Sequence, residues 1–255
     1  MYSRFLIMVN CHSHSKYELN LPFTLEQHLK NYAECDHNAR RLFESFHIIR
    51  EKITVSLRPV ISLFPHYSDH SHEHSENVIT SIEKLLGRDR IEKLSPADTW
   101  MLLVCSYMHD IGMIVQGSER DSDWSSPEFQ THIKNCLEST DDDLRKAAQH
   151  VSYLSSLENI TNWPVQIYRD VILISSEYYR SKHPERAKEL PLRSELQQSL
   201  NCVLNSDGRL PSRIQGVIGK ICHSHGLSFE NMLQSLEAVD GLLGYTFHPR
   251  FVAAL

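Results

Sequence analysis

A histidine followed directly by an aspartate, His109-Asp110, closes a strongly apolar stretch of the sequence. Residues 96 to 109 predict a helix that is apolar nearly all round, and such a helix lies at the centre of a domain. A carboxylate at the carboxyl end of a buried helix faces the negative end of the helix dipole and loses its hydration. Asp110 therefore needs a cation or strong hydrogen-bond donors close by. A metal ion meets that need, and the imidazole of His109 is a natural ligand for it.

Histidine is frequent in this chain, and several of its 16 histidines are clustered. His74, His183 and His225 fall on the apolar faces of three further predicted helices, where an imidazole is costly unless it is paired or metal-bound. His70 precedes His74 by four residues and shares its face if the helix extends that far back. Separate helices that direct histidines into one interior are typical of a metal site in a helical bundle. The sequence predicts one or two divalent ions held by His70, His74, His109, Asp110, His183 and His225.

Each of these histidines, taken alone, also fits a hydrogen-bonded core residue. The set is harder to explain in that way, because a purely structural bundle gives no physical reason for Asp110 and the aligned histidines. We expect His66, His72 and His223 at the surface or behind the metal ligands.

The elements that must hold these residues are predicted to be helices. A capping box of Thr24 and Gln27 predicts helices over about 24–63. Ser95-Pro96 is typical of a helix start and precedes the apolar stretch. Polar residues 116–126 have loop composition and predict a mobile flap near the His-Asp pair. Further helices are predicted from Pro127, over 141–158, over 163–190, around 194–204 and from Pro211, without a clear strand. The predicted fold class is therefore all-α.

The composition excludes several classes of protein. A net charge of -6 is unfavourable for a general nucleic-acid binder, because such binding depends largely on Lys and Arg that neutralise phosphates. No apolar run approaches the roughly 20 residues of a membrane span, and the six cysteines form no CxxC pair. We expect a cytoplasmic protein with reduced thiols, no membrane partner and no strong nucleic-acid footprint.

Two segments resemble a known superfamily. The run His70-Ser-His-Glu-His74 and the later Met108-His109-Asp110-Ile111-Gly112 resemble the opening histidine and the His-Asp pair of HD-superfamily metal-dependent phosphohydrolases. The segments around His183 and His225 resemble the additional histidines of its binuclear branches. Over roughly residues 60 to 255, the chain resembles the HD-CE type, which is often fused to a histidine-kinase-like ATPase domain.

The resemblance implies an HD-domain helical bundle over 61–255, preceded by a tail and helical extension over 1–60. It also implies a centre of Mn, Fe, Zn or Mg that activates water for attack on a phosphoester or phosphoanhydride. His109 and Asp110 would be catalytic, and Arg180 and Arg186 would orient a phosphate by forked hydrogen bonds, although both also fit solvated helix charges. The implied partners are a small phosphorylated or nucleotide ligand and an ATPase domain in the complete protein.

The family pattern closes with an aspartate on a late helix, whereas this sequence ends at Leu255 where an apolar helix begins. Asp240 is the nearest substitute, in a predicted turn. We therefore expect a domain truncated at its C-terminus. Two functions stay open, namely hydrolysis of a nucleotide-like phosphoester and a weakly active or inactive sensor that binds a nucleotide or metal and signals to a partner.

Overall fold

The computed structural model describes residues 23–60, 64, 72–154, 163–189 and 211–255. In these ranges the chain forms twelve α-helices, one short 3-10 helix and one two-stranded hairpin, which confirms the all-α fold class. His66, His70 and the helix predicted around 194–204 lie outside the described residues.

The helices occupy the following residues: α1 Leu25–Cys35, α2 His37–Leu57, α3 His72–Leu86, α4 Arg88–Ile91, α5 Pro96–Met108, α6 Gly117–Trp124, α7 Pro127–Leu137, α8 Asp142–Val151, α9 Val165–Glu189, α10 Ser212–Ser224, α11 Phe229–Ser235 and α12 Pro249–Ala254. The 3-10 helix covers Ile111–Met113 and follows α5 directly. The strands are β1 Asp240–Leu242 and β2 Tyr245–Phe247.

The start of α5 follows from its first residues. The side chain of Ser95 accepts a hydrogen bond from the backbone N–H of Asp98, and Pro96 occupies the first turn, where its missing N–H costs nothing. Thr24 caps α1 in the same way through the backbone N–H of Gln27. The sequence signals for these two starts are confirmed.

Helix α5 is the central element. All of its residues are buried, and it contacts α1, α2, α3, α10 and α12. The residues that follow it, His109 and Asp110, are therefore delivered from the middle of the core.

The two N-terminal helices share that core. The indole N–H of Trp100 donates to the hydroxyl of Ser45 over 2.9 Å, and the backbone N–H of Leu25 donates to Glu83 over 2.8 Å. One continuous apolar cluster extends from Leu25 in α1 to Val252 in α12. Helices α1 and α2 thus support α5 along its length.

Residues 117–124, predicted to be part of a mobile flap, form helix α6. Two long-range contacts hold this helix against α9. The hydroxyl of Tyr179 donates to Asp123 over 2.8 Å, and Arg186 pairs with Glu119 over 2.7 Å. Trp124 at its end is fully buried. The loop prediction is wrong. It was based on the polar composition of the segment, which does not show that residues of the distant helix α9 stabilise it.

The hairpin was also not predicted. Leu242 pairs with Tyr245, and the two residues between them, Leu243 and Gly244, both have positive φ angles. Two such residues match the twist of a tight antiparallel hairpin. Asp240 lies in β1 rather than in a turn.

His28 on α1 is a buried imidazole with one hydrogen bond. Its Nδ1 lies 2.8 Å from the hydroxyl of Thr99, and no hydrogen-bond partner for its buried Nε2 occurs in the described part of the chain. Burial lowers the pKa of His28 to about 4, although the charge of Glu92 opposes the shift. The folded protein therefore resists protonation at this position.

We predict that His28→Gln weakens the acid sensitivity of folding. The unfolded chain takes up a proton on His28 near its ordinary pKa of 6.5, whereas the folded chain does so only near about 4. Stability must therefore fall as the pH decreases from 6.5 to 4, and this contribution is absent in the variant. Urea unfolding of metal-free protein at several pH values measures both slopes. Equal slopes would show that His28 is not buried in neutral form.

Candidate metal centre

Four imidazoles and one carboxylate meet where α3, α5, α9 and α10 converge. His74 lies in the first turns of α3, His183 lies in α9, and His109 and His225 cap the carboxyl ends of α5 and α10. Asp110, which follows His109, is only 4% exposed. The structure therefore brings together five of the six predicted ligands, and the sixth, His70, lies outside the described residues.

The first ligand group consists of His74, His109 and Asp110. The Nε2 atoms of the two histidines are 3.2 Å apart. Oδ2 of Asp110 lies 3.5 Å from Nε2 of His74 and 3.0 Å from Nε2 of His109. All three donor atoms thus lie close enough together to hold one metal ion.

The second ligand group consists of Asp110, His183 and His225. The Nε2 atoms of its histidines are 2.8 Å apart, and Nε2 of His183 lies 3.6 Å from Oδ1 of Asp110. Asp110 therefore belongs to both groups and turns a different oxygen toward each. Asp110 would therefore be able to contribute a ligand oxygen to a cation in either group.

Backbone carbonyls orient three of the imidazoles. Each Nδ1 contacts the carbonyl oxygen three residues earlier in the chain, and a carbonyl oxygen can only accept, so Nδ1 carries the proton. In a neutral imidazole the lone pair is then on Nε2. The pairs are His109 with Ser106 at 2.9 Å, His183 with Arg180 at 2.6 Å, and His225 with Cys222.

These tautomers make the arrangement fit a metal ion. With Nδ1 protonated, the Nε2 atoms of His183 and His225 direct lone pairs at each other across 2.8 Å. Two such acceptors repel, and Asp110 adds a negative charge beside them. A divalent cation relieves this repulsion, and imidazole with carboxylate is a donor set that transition metals prefer.

The histidines differ in their affinity for a proton. Burial lowers the pKa of His225 to about 4, with the Cys222 carbonyl opposing this shift. Burial also acts to lower the pKa of His109, but the hydrogen bond and the charge of Asp110 outweigh it and raise the pKa above the ordinary value. Asp110 therefore attracts positive charge to its side of the site, while His225 keeps its lone pair available at neutral pH.

Gly112 allows α9 to approach the His-Asp pair. A Cβ atom at this position would lie 2.0 Å from the carbonyl oxygen of His183, which is backbone and cannot move aside. Gly219 on α10 makes a similar approach to α9, where a Cβ would lie 2.4 Å from the carbonyl oxygen of Lys188. These glycines set the distance between the helices that carry the ligands.

Arg186, predicted to orient a phosphate, is occupied by the protein. Its guanidinium donates to the carbonyl oxygens of Gly112 at 2.8 Å and Ile114 at 2.7 Å, and to Glu119 at 2.7 Å. It thereby fixes the segment after Asp110 against α9. Arg180 lies one turn before His183, its side chain is half exposed, and its Nε is 3.5 Å from Glu177. The phosphate contacts of both arginines stay predictions.

Two further candidates, His223 and Asp240, lie outside the two ligand groups. Nε2 of His223 is 3.3 Å from Glu185 across the α9–α10 interface. Asp240 accepts hydrogen bonds from Arg213 and from the backbone N–H of Gly241. His72 is the first residue of α3.

The family model described as HD-CE matches residues 64–255, which is more than half of the chain. The chain belongs to the HD-CE family. The HD-CE match contains both ligand groups and begins after α2. A comparison with curated proteins gives no match, and neither does a comparison with solved structures. Among the described helices of this HD-CE chain, none has the length and apolar character needed to cross a membrane.

We predict that Gly112→Ala destabilises the protein and lowers its metal content. The added methyl group must push α9 away from Asp110, and overpacking of this kind costs about 1–3 kcal/mol. Thermal unfolding and elemental mass spectrometry measure the two effects. Gly117→Ala is the matched control, because nothing lies within 4 Å of its new methyl group. Equal behaviour of the two variants would contradict the close approach at Gly112.

Proposed function

We propose that this HD-CE chain is a metal-dependent phosphohydrolase that acts on a phosphoester of a nucleotide or nucleotide-like molecule. The observation that supports this proposal is the shared carboxylate of Asp110, which turns one oxygen to each ligand group. Two adjacent cation sites, typically about 3.5–4 Å apart, are a recurrent arrangement in enzymes that cleave phosphoesters.

The metal would be Mn, Fe, Zn or Mg, with one or two ions held by the two ligand groups. When bound, such an ion lowers the pKa of water and neutralises negative charge on a phosphoryl group. The histidine-rich donor set favours Mn, Fe or Zn over Mg, since Mg prefers oxygen ligands.

The protein determines how deeply Asp110 is buried and from which side a ligand can reach the site. Asp110 lies at the buried end of the site, where low hydration strengthens its attraction for a cation. The side chain of His74 is one third exposed, and His225 is the most exposed member of its ligand group, although the protein around its ring is enough to lower its pKa. A ligand can therefore approach from the side of these two histidines, while the carboxylate stays shielded from bulk water.

The two arginines take different parts in this proposal. Arg180 has a half-exposed guanidinium on the same helix as His183 and would orient a phosphate of the substrate. Arg186 would act through the protein, because its donors hold the carbonyl groups of the segment that follows Asp110.

The alternative function is a sensor. Helices α1 and α2 lie outside the family match and pack on α5, which carries His109 and Asp110 at its end. This packing connects the candidate metal centre to a surface on which a partner, such as an ATPase domain of the complete protein, would dock. In a sensor, nucleotide or metal would bind at the site without turnover.

We predict metal-dependent turnover of phosphoesters that Asp110→Asn lowers by more than about 100-fold, because even residues that only support metal ligands are worth 10–100-fold. The assay uses bis(p-nitrophenyl) phosphate and a panel of linear and cyclic nucleotides with Mn, Fe, Zn or Mg. Asp170→Asn is the matched control. Asp170 is also buried and lies 2.7 Å from a histidine, His150, but belongs to neither ligand group.

Equal activity of the two variants would place the chemistry elsewhere. Tight binding of a nucleotide by the wild-type protein without turnover under any of the metals would favour the sensor.

A further inference from the structure

Pro184 lies inside α9, directly after His183. Proline in a helix interior is strongly disfavoured, because it has no N–H to donate to the carbonyl four residues earlier and its ring crowds the preceding turn. Alanine at this position would make a more stable helix. The proline therefore calls for a physical reason other than helix stability.

The carbonyl that loses its usual donor is that of Arg180. In place of a backbone N–H from residue 184, the imidazole Nδ1 of His183 lies 2.6 Å from the Arg180 oxygen. This bond puts the His183 proton on Nδ1 and leaves the lone pair on Nε2, which faces Asp110 and His225.

The other two carbonyl-oriented imidazoles do not need a proline. His109 and His225 cap the ends of α5 and α10, where the last carbonyls of a helix have no intrahelical donor. His183 lies in mid-helix, since α9 continues to Glu189. Pro184 leaves the Arg180 carbonyl without an intrahelical N–H donor, as at a helix end, although α9 continues beyond it.

The ring of Pro184 makes a second contact with the site. A Cβ atom at Gly226 would lie 2.7 Å from Cβ and 2.8 Å from Cγ of Pro184, so the ring packs on the backbone that directly follows His225. The one residue thus supports both histidines of the second ligand group.

We propose that Pro184 is a positioning residue that sets the metal affinity of the second ligand group by orienting His183 and seating His225. This inference rests on the proposed metal-dependent function. It assigns to Pro184 no contact with metal or substrate.

The test is Pro184→Ala. The new N–H competes with the His183 imidazole for the Arg180 carbonyl, and the Cγ atom that packs at Gly226 is lost, whereas Cβ is kept. We expect the second metal site to weaken by about tenfold or more, as is usual for residues that support metal ligands. The first ligand group should keep its affinity. The melting temperature of the metal-free protein should stay equal or rise, because alanine favours the helix. Calorimetric titration with Mn²⁺ or Zn²⁺ and thermal unfolding measure these three quantities.

Gly216→Ala is the matched control. It also raises helix propensity, on α10, and nothing lies within 4 Å of its added methyl group. It should raise the melting temperature and leave both metal affinities unchanged. A Pro184→Ala variant that unfolds at a lower temperature and loses both sites together would show a merely structural role and overturn the proposal. Unchanged affinity of the second site would overturn it too.

A second measurement separates this inference from the proposed function. In metal-free, ¹⁵N-labelled protein, at a pH at which the imidazole is neutral, ring-nitrogen NMR reports the tautomer of His183. We expect the Nδ1–H form in the wild type and a mixture of both forms in Pro184→Ala. If the wild-type protein binds no metal, the proposed function fails, while the tautomer still decides whether Pro184 orients His183. An identical tautomer in both proteins would overturn the inference.

Discussion

The structure depends on one buried negative charge, that of Asp110, placed at the carboxyl end of the most buried helix. A carboxylate there faces the negative end of the helix dipole and has lost most of its water, so it is stable only among compensating partners. Three histidines lie within 3.6 Å of its two oxygens. A neutral imidazole supplies a dipole and not a full charge. The negative charge of Asp110 is therefore fully compensated only when one of the histidines is protonated or a cation is bound. Helices α3 and α9 contribute to this compensation by bringing His74 and His183 to the end of α5.

Exact placement of the ligands is obtained at some cost to the helices. Gly112 and Gly219 lack the side chains that would stabilise their elements, and in exchange α9 approaches the backbone on both sides. Pro184 interrupts the hydrogen bonds of α9 in the same region. Arg186 then restrains the segment after Asp110 through two carbonyl groups and Glu119. Local stability is thus reduced where the imidazoles must be oriented, and long-range contacts compensate for it, as is common at functional sites.

Much of this could be predicted from the sequence, because the signals are local. Ser95 and Thr24 are N-cap residues, and each predicts a helix start from only a few neighbouring residues. The helical spacing of apolar residues places His74, His183 and His225 on inward faces. The helix α6 and the short hairpin could not be predicted in this way. Helix α6 is held by Arg186, which is 67 positions from Glu119, and a polar sequence gives no sign of such a partner. The orientation of the imidazoles by backbone carbonyls was also missed. A proline directly after a candidate ligand in mid-helix is the one local signal that could have indicated it.

The proposed bridging role of Asp110 is tested most directly by anomalous diffraction from crystals grown with Mn²⁺, with data collected on both sides of the manganese absorption edge. We expect two peaks, one on each side of the Asp110 carboxylate, the first next to His74 and His109 and the second next to His183 and His225. Peaks that lie away from Asp110, or a protein that takes up no manganese, zinc or iron at this position, would contradict it.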